Sequence, residues 1–298
     1  EIAFKDLRII IGIGELDPVA GKTWFNFRHS RRTYAYSFAM ANQQKVAVLG
    51  AGVMGEALIA ALIASGVSPP VISIVEKRAD RCSELVGKYA ITVDSLEGAV
   101  STSDLILVVV KPQDLQGLLG EIKPHINKNA LLLSFVAGKK IGFIQENLSG
   151  SQPIVRIMPN TPTSVGLGAA GYSFGSAVTQ EHRAFVASLL AAAGKAVEVD
   201  ESLQDAITAT SGSGPAYFFA FVEAMVEGAI ALGLSREDAT TLTIQTIVGS
   251  AALLERSGDS PTTLREKVTS PNGTTAAALA SFSNDHLSEI VARAMKAA

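Results

Sequence analysis

Cysteine and histidine are scarce in this chain, and their scarcity removes whole classes of function. Cys82 is the only cysteine in 298 residues, which excludes an intrachain disulfide and a thiolate metal cluster and fits a reducing, cytoplasmic setting. The four histidines (His29, His125, His182, His286) lie far apart without ligand-like neighbours, so no metal is expected. Charge is sparse as well. A net charge of −3 with 18% charged residues gives neither nucleic acid nor an anionic membrane a reason to bind. Glu223 and Glu227 interrupt the apolar run at 215–232, which makes it a buried helix and not a membrane span. Between positions 204 and 234 there is no Lys, Arg or His at all. What the chain does have is 48% hydrophobic residues and length enough for two domains.

Residues 1–39 do not share the pattern of the rest. They hold the only tryptophan, Trp24, and a basic excess that leaves the remainder with 19 basic against 24 acidic residues. Ile11-Gly12-Ile13-Gly14 imitates a glycine loop, but Asp17 stands where a third glycine belongs, and no helix follows. Met40 lies just before the first strand. The expectation is a leader at 1–39 that is non-native or disordered. A transit peptide is the rival reading, weakened by four acidic residues.

From Lys45 the pattern sharpens. Lys45-Val46-Ala47-Val48-Leu49 reads as a strand, Gly50-Ala51-Gly52-Val53-Met54-Gly55 as a Gly-x-Gly-x-x-Gly turn, and the small apolar run after it as a helix. This is the opening of a dinucleotide-binding βαβ unit. Gly50 makes the tight turn, Gly52 lets a pyrophosphate approach the backbone, and Gly55 lets helix and strand pack closely. Further strands are expected at 71–75, 91–93, 105–110, 131–136, 154–158 and 196–199, with helices at 77–88 and 180–193. Beyond position 200 the strands stop, and helices are expected at 203–210, 215–232, 236–255, 261–267, 274–282 and 285–295. The fold class is α/β: a Rossmann-type nucleotide-binding domain over 40–200, followed by an all-α C-terminal domain over 201–298. Ala216, Ala220, Ala224 and Gly228 recur every fourth residue, a stripe for close helix approach that serves either a dimer interface or packing within one subunit.

The carboxyl edge of such a sheet is where ligands bind. Val109, Val110, Lys111 and Pro112 leave one strand there, Ala137 the next, and Pro159 and Asn160 another. With the six residues of the glycine loop, they are the candidate cofactor-binding set. Glu76 ends the second strand, where an acid bonds a ribose 2′-OH and favours NADH. Lys77 and Arg78 follow it and suit the 2′-phosphate of NADPH. Ser95 either touches the adenosine or caps a helix.

Two further runs are more specific: Ser211-Gly212-Ser213-Gly214-Pro215-Ala216-Tyr217 and Thr269-Ser270-Pro271-Asn272-Gly273-Thr274-Thr275. With these in order and spacing, the chain from Lys45 nearly to its end resembles pyrroline-5-carboxylate reductase, the last enzyme of proline biosynthesis. One departure is Asn272, where the family usually has a second glycine; asparagine tolerates a left-handed backbone better than most residues. The resemblance implies hydride transfer from NADPH, with NADH accepted, to the C=N bond of 1-pyrroline-5-carboxylate. It also implies a small-molecule substrate and a homodimer or higher oligomer of dimers, with the substrate between one subunit's nucleotide domain and the other's helices.

The residues suit that chemistry. A turn opening a helix at 270–275 offers backbone N–H groups as a carboxylate cradle beside Ser270, Gly273, Thr274 and Thr275, although a plain helix cap uses the same residue types. A protonated C=N is already electrophilic, so the absence of a basic side chain across 204–234 is tolerable for imine reduction. Alcohol oxidation needs a general base. Thr275 is the candidate to supply or relay the proton. Glu201 is the candidate to stabilise the cationic iminium, or else a solvated linker carboxylate. Two alternatives remain: another two-domain imine or β-hydroxyacid reductase, and a non-catalytic NAD(P)-binding sensor. The missing lysine counts against a hydroxyacid substrate, and the carboxylate cradle against a sensor.

Overall fold

The computed structural model describes residues 44–148 and 150–298, so the expected leader at 1–39 lies outside the described residues. Short Val/Ile/Leu runs set the frame. β1 (Val46–Leu49), β2 (Ile72–Val75), β3 (Thr92–Val93), β4 (Leu105–Val108), β5 (Leu131–Ser134) and β6 (Ile154–Met158) pair in parallel in the order β3-β2-β1-β4-β5-β6. β7 (Gly168–Phe174) and β8 (Gly194–Glu198) extend the sheet to eight strands. The helices between them are α1 (Val53–Ala64), α2 (Ala79–Tyr89), α3 (Leu96–Thr102), α4 (Leu115–Ile122), α5 (Ile141–Asn147) and α6 (Gln180–Ala193).

Alternate strand residues serve opposite faces. Val46, Val48, Leu105, Leu107, Leu131 and Leu133 enter one core with Leu58 and Leu62 of α1, Leu85 of α2 and Leu189 of α6. Ala47, Leu49, Ile106, Val108 and Leu132 enter the other, against Val100 of α3, Leu115 and Leu119 of α4 and Ile144 of α5. Each fully buried Val, Leu or Ile contributes about 1.5–3 kcal/mol, so strands covered on both faces carry no polar alternation. Winding reverses between β1 and β4, and the crevice at their carboxyl ends is the ligand edge of an open α/β sheet.

Several expected boundaries move. Pro69–Val71 forms a 3-10 turn, so β2 begins at Ile72. β4 and β5 stop at Val108 and Ser134, short of the expected 110 and 136. Helices α3, α4 and α5 and the strand β7 were not anticipated. β7 pairs antiparallel to β6, with Val155 opposite Phe174 and Met158 opposite Gly171, and β8 runs parallel to β7.

That reversal means the chain leaves the sheet at the edge opposite the glycine loop. It then climbs back over β6 and β7 through a 3-10 turn (Glu201–Leu203), α7 (Gln204–Ile207) and a π turn (Thr208–Gly212). Gly171 makes room for this climb: a Cβ there would lie 2.6 Å from Cγ1 of Ile207. The remainder is helical: α8 (Gly214–Ala231), α9 (Arg236–Arg256), α10 (Pro261–Lys267), α11 (Thr274–Asn284) and α12 (Leu287–Ala297). Punctuation follows the sequence. Pro215 sits in the first turn of α8, Gly233 at φ +103 follows it, and Ser235 and Ser260 cap α9 and α10 with their hydroxyls.

This helical part hides little of its apolar surface. From 201 onward Val226 and Ala239 are the only buried hydrophobic residues, while Phe218, Phe219, Phe221, Leu242, Ile244 and Val248 are exposed. Ala216, Ala220, Ala224 and Gly228 are exposed as well, so the stripe is not used for packing within one subunit. No helix among the described residues is long and apolar enough to cross a membrane.

Candidate active site

The site begins where β1 ends. Gly50 turns the chain at φ +95, and a Cβ there would come 2.6 Å from the carbonyl oxygen of Val109, so the turns after β1 and β4 touch through this glycine. A Cβ on Gly55 would collide with the carbonyl of Gly50, which is how α1 packs onto the turn. Gly52 differs: nothing lies within 4 Å of its Cβ position. It precedes α1 with no side-chain cap, so the first-turn N–H groups, beside the exposed Val53 and half-buried Met54, face open space. Two closed glycines and one open one make a cradle that fits a dinucleotide pyrophosphate.

Ala51, between them, is fully buried and gripped on both sides. Its N–H donates to Oε2 of Glu76 at 3.1 Å, and its carbonyl accepts from Nε of Arg81 at 3.0 Å. The other Glu76 oxygen accepts from the Arg78 N–H at 3.1 Å. Arg81 is buried and also pairs with Glu84 (2.8 Å) and, closely, with Glu56 in the first turn of α1. Lys88 and Tyr89 donate to the remaining Glu56 oxygen at 2.7 and 3.1 Å. These hydrogen bonds, Lys88's first, then those of Arg81 and Tyr89, hold the Glu56 pKa down from 4.5 to about 2, against the opposing effect of burial.

The other edge residues divide. Val109, Val110 and Ala137 are half-buried, and Lys111 and Pro112 are exposed beside the crevice. Pro159 and Asn160 are buried, and the Asn160 side-chain oxygen accepts the Ala169 N–H at 2.8 Å. The Asn160 carbonyl group therefore anchors the start of β7. Ser95 caps α3, its hydroxyl accepting from the Gly98 N–H at 3.0 Å.

At the end of the π turn, Gly212 lies against the side chain of Met158, which brings the Ser211–Tyr217 run to the carboxyl end of β6. Tyr217 donates to the carbonyl of Ala209 at 3.1 Å. π turns concentrate at functional sites. In the 270–275 turn, Asn272 adopts φ 58, as its tolerance of the left-handed region allows. Gly273 precedes α11 with no side-chain cap, and Ser270 fills the space where a Cβ would go. Ser270 and Thr274 are exposed and Thr275 half-buried. Among the described residues no hydrogen bond joins this turn to the sheet.

Most of the chain has known counterparts. Residues 201–298 match the family description "Pyrroline-5-carboxylate reductase dimerisation" and residues 45–138 match "NADP oxidoreductase coenzyme F420-dependent". A pyrroline-5-carboxylate reductase of Arabidopsis thaliana is 40% identical over 240 residues, 80% of this chain and 86% of that protein. One of Pseudomonas aeruginosa is 38% identical over 256 residues, 85% and 94% of the two. The chain belongs to the pyrroline-5-carboxylate reductase family. Solved structures agree: the Coxiella burnetii reductase has a TM-score of 0.80 at 32% identity, covering 86% of this chain and 96% of that one. The Plasmodium falciparum reductase, with NADP bound, has a TM-score of 0.77 at 29% identity, covering 86% and 95%.

The reductase transfers hydride from NAD(P)H to the C=N bond of 1-pyrroline-5-carboxylate and yields proline, and it works as a homo-oligomer. One expected residue, Glu201, makes contacts of its own within the chain. Glu201 Oε1 accepts the Ile141 N–H at 2.7 Å and lies 3.5 Å from the guanidinium of Arg156, a buried residue of β6. The cleft it borders is lined by α5, Arg183 of α6, the end of β7 and the end of β8, with no residue of the glycine loop or the 270–275 turn. Glu201 therefore ties the entry of the helical part to α5 and β6. Arg156, which also pairs with Asp205 at 3.5 Å, went unnoticed in the sequence because it sits within an apolar strand run. Arg81 and Glu56 went unnoticed because their partners lie 25 residues apart.

Proposed function

We propose that the 270–275 turn binds the substrate carboxylate, that Thr275 supplies or relays the proton to the ring nitrogen, and that NADPH is the preferred donor. The observation carrying this is the uncapped start of α11. The left-handed Asn272 and the side-chain-free Gly273 leave the first-turn N–H groups and the Thr274 and Thr275 hydroxyls open to an anion. When bound, the reduced nicotinamide supplies the hydride. The open Gly52 side and the first turn of α1 hold the pyrophosphate, and Lys77 and Arg78, both exposed, take the 2′-phosphate. Val109, Val110, Lys111, Pro112, Ala137 and Pro159 border the rest of the dinucleotide along the same edge.

The chain from 201 onward acts as dimerisation and substrate domain, and the exposed small-residue stripe of α8 meets the same stripe on a second copy. That arrangement sets the 270–275 turn of one subunit against the glycine-loop edge of the other, and larger assemblies of such dimers are compatible with it. A cytoplasmic location fits the unpaired Cys82. Steady-state oxidation of NADPH and of NADH with pyrroline-5-carboxylate, for the wild type and for Thr275→Ala, tests the reading. Full activity in Thr275→Ala removes the proton role, and a lower KM for NADH removes the cofactor preference.

A further inference from the structure

We propose that Glu76 and Arg81 form a two-sided clamp on Ala51 that positions the glycine loop, and that this backbone task, and not a contact to the cofactor's ribose, is the main role of Glu76. The inference rests on the reading of 50–55 as the pyrophosphate loop. Ala51 has one N–H and one C=O, and both go to charged side chains, Glu76 at 3.1 Å and Arg81 at 3.0 Å. Hydrogen bonds to ionised partners are about twice as strong as neutral ones. Both partners come from one stretch, the end of β2 and the first turn of α2, so the loop after β1 is held in register with the segment that follows β2.

Both carboxylate oxygens of Glu76 are turned to its own chain. One of its oxygens is engaged by Ala51 and the other by the Arg78 N–H at 3.1 Å. Each oxygen keeps a free lone pair, so what these two bonds fix is the orientation of the carboxylate, turned toward the loop backbone. Arg81 cannot drift either. Its guanidinium is buried and satisfied by Glu56 and Glu84 as well as by Ala51, and Glu56 is itself held by Lys88 and Tyr89. The acid at the end of β2 thus belongs to the loop's architecture, and Lys77 and Arg78 are left as the charges that face the 2′ position.

The two roles of Glu76 predict opposite kinetics. As a clamp, Glu76→Ala raises KM for NADPH and NADH by the same factor, about tenfold for one lost charged hydrogen bond, with kcat little changed. Glu76→Gln restores most of the loss, because an amide oxygen still accepts the Ala51 N–H. Arg81→Lys, which keeps the charge but not the fork, also raises both KM values together. As a ribose acceptor, Glu76→Ala would weaken NADH alone and improve NADPH, and that split would overturn the clamp. So would an unchanged KM for both cofactors. The wild-type KM ratio tests the NADPH preference separately, since an NADH-preferring enzyme whose two KM values still move together in Glu76→Ala loses the preference and keeps the clamp.

Discussion

Glu56 shows how much a single side chain can bind together behind the glycine loop. It closes a network through Arg81 to the glycine loop and through Lys88 and Tyr89 to the end of α2. Its pKa is about 2 in the fold against 4.5 ordinarily, so between these values the unfolded chain binds more protons than the folded one. The stabilisation is complete above pH 4.5 and fades as pH falls toward 2. Glu56→Gln is expected to lower the thermal midpoint at neutral pH and to flatten that part of the acid limb, as scanning calorimetry across the range will show. Thr275 carries the proposed proton role. Thr275→Ala is expected to lower kcat by about 10²-fold, the scale of a positioned proton donor. NADPH affinity, read by fluorescence titration, is expected to stay the same.

Among the elements, β7 is the strand that its own sequence hides. Gly168-Ala169-Ala170-Gly171 has no β-branched residue and no apolar alternation, the two signals by which β1, β4 and β5 declare themselves. Its glycines are there for neighbours: Gly171 admits Ile207, and a Cβ on Gly168 would come 2.8 Å from the carbonyl of Ala193. Gly171→Val is expected to cost about 2 kcal/mol or more by forcing Ile207 off the sheet, measurable as a lower denaturant midpoint. Long apolar strands and capped or proline-started helices were legible because burial and capping act through residue type at fixed spacing, as Pro261–Lys267 shows by matching its expected span. The short helices α3 to α5, seven or eight residues each, carry too few turns to show a period. In the site, glycines and Asn272 could be read because backbone geometry restricts the residue. The tasks of Asn160, Glu76 and Arg81 could not, because each is defined by a partner distant in sequence.

At the scale of the molecule, the sheet is finished within one chain and the helical part is not. Phe218, Phe219 and Ile244 lie exposed on α8 and α9. Phe219→Asp is expected to shift the protein toward monomers in light scattering, with activity lost although the sheet still folds. A dimer with full activity would show that this face lies outside the interface.

The same exposure has a consequence in time. The nucleotide half can reach its final state alone, at a rate that ignores how many chains are present. The helices after 201 have only Val226 and Ala239 to gather around and must wait for an encounter with another chain. Recovery from denaturant should therefore show an early phase independent of concentration and a late one that quickens as more protein is added. Reductase activity returns only with the late phase.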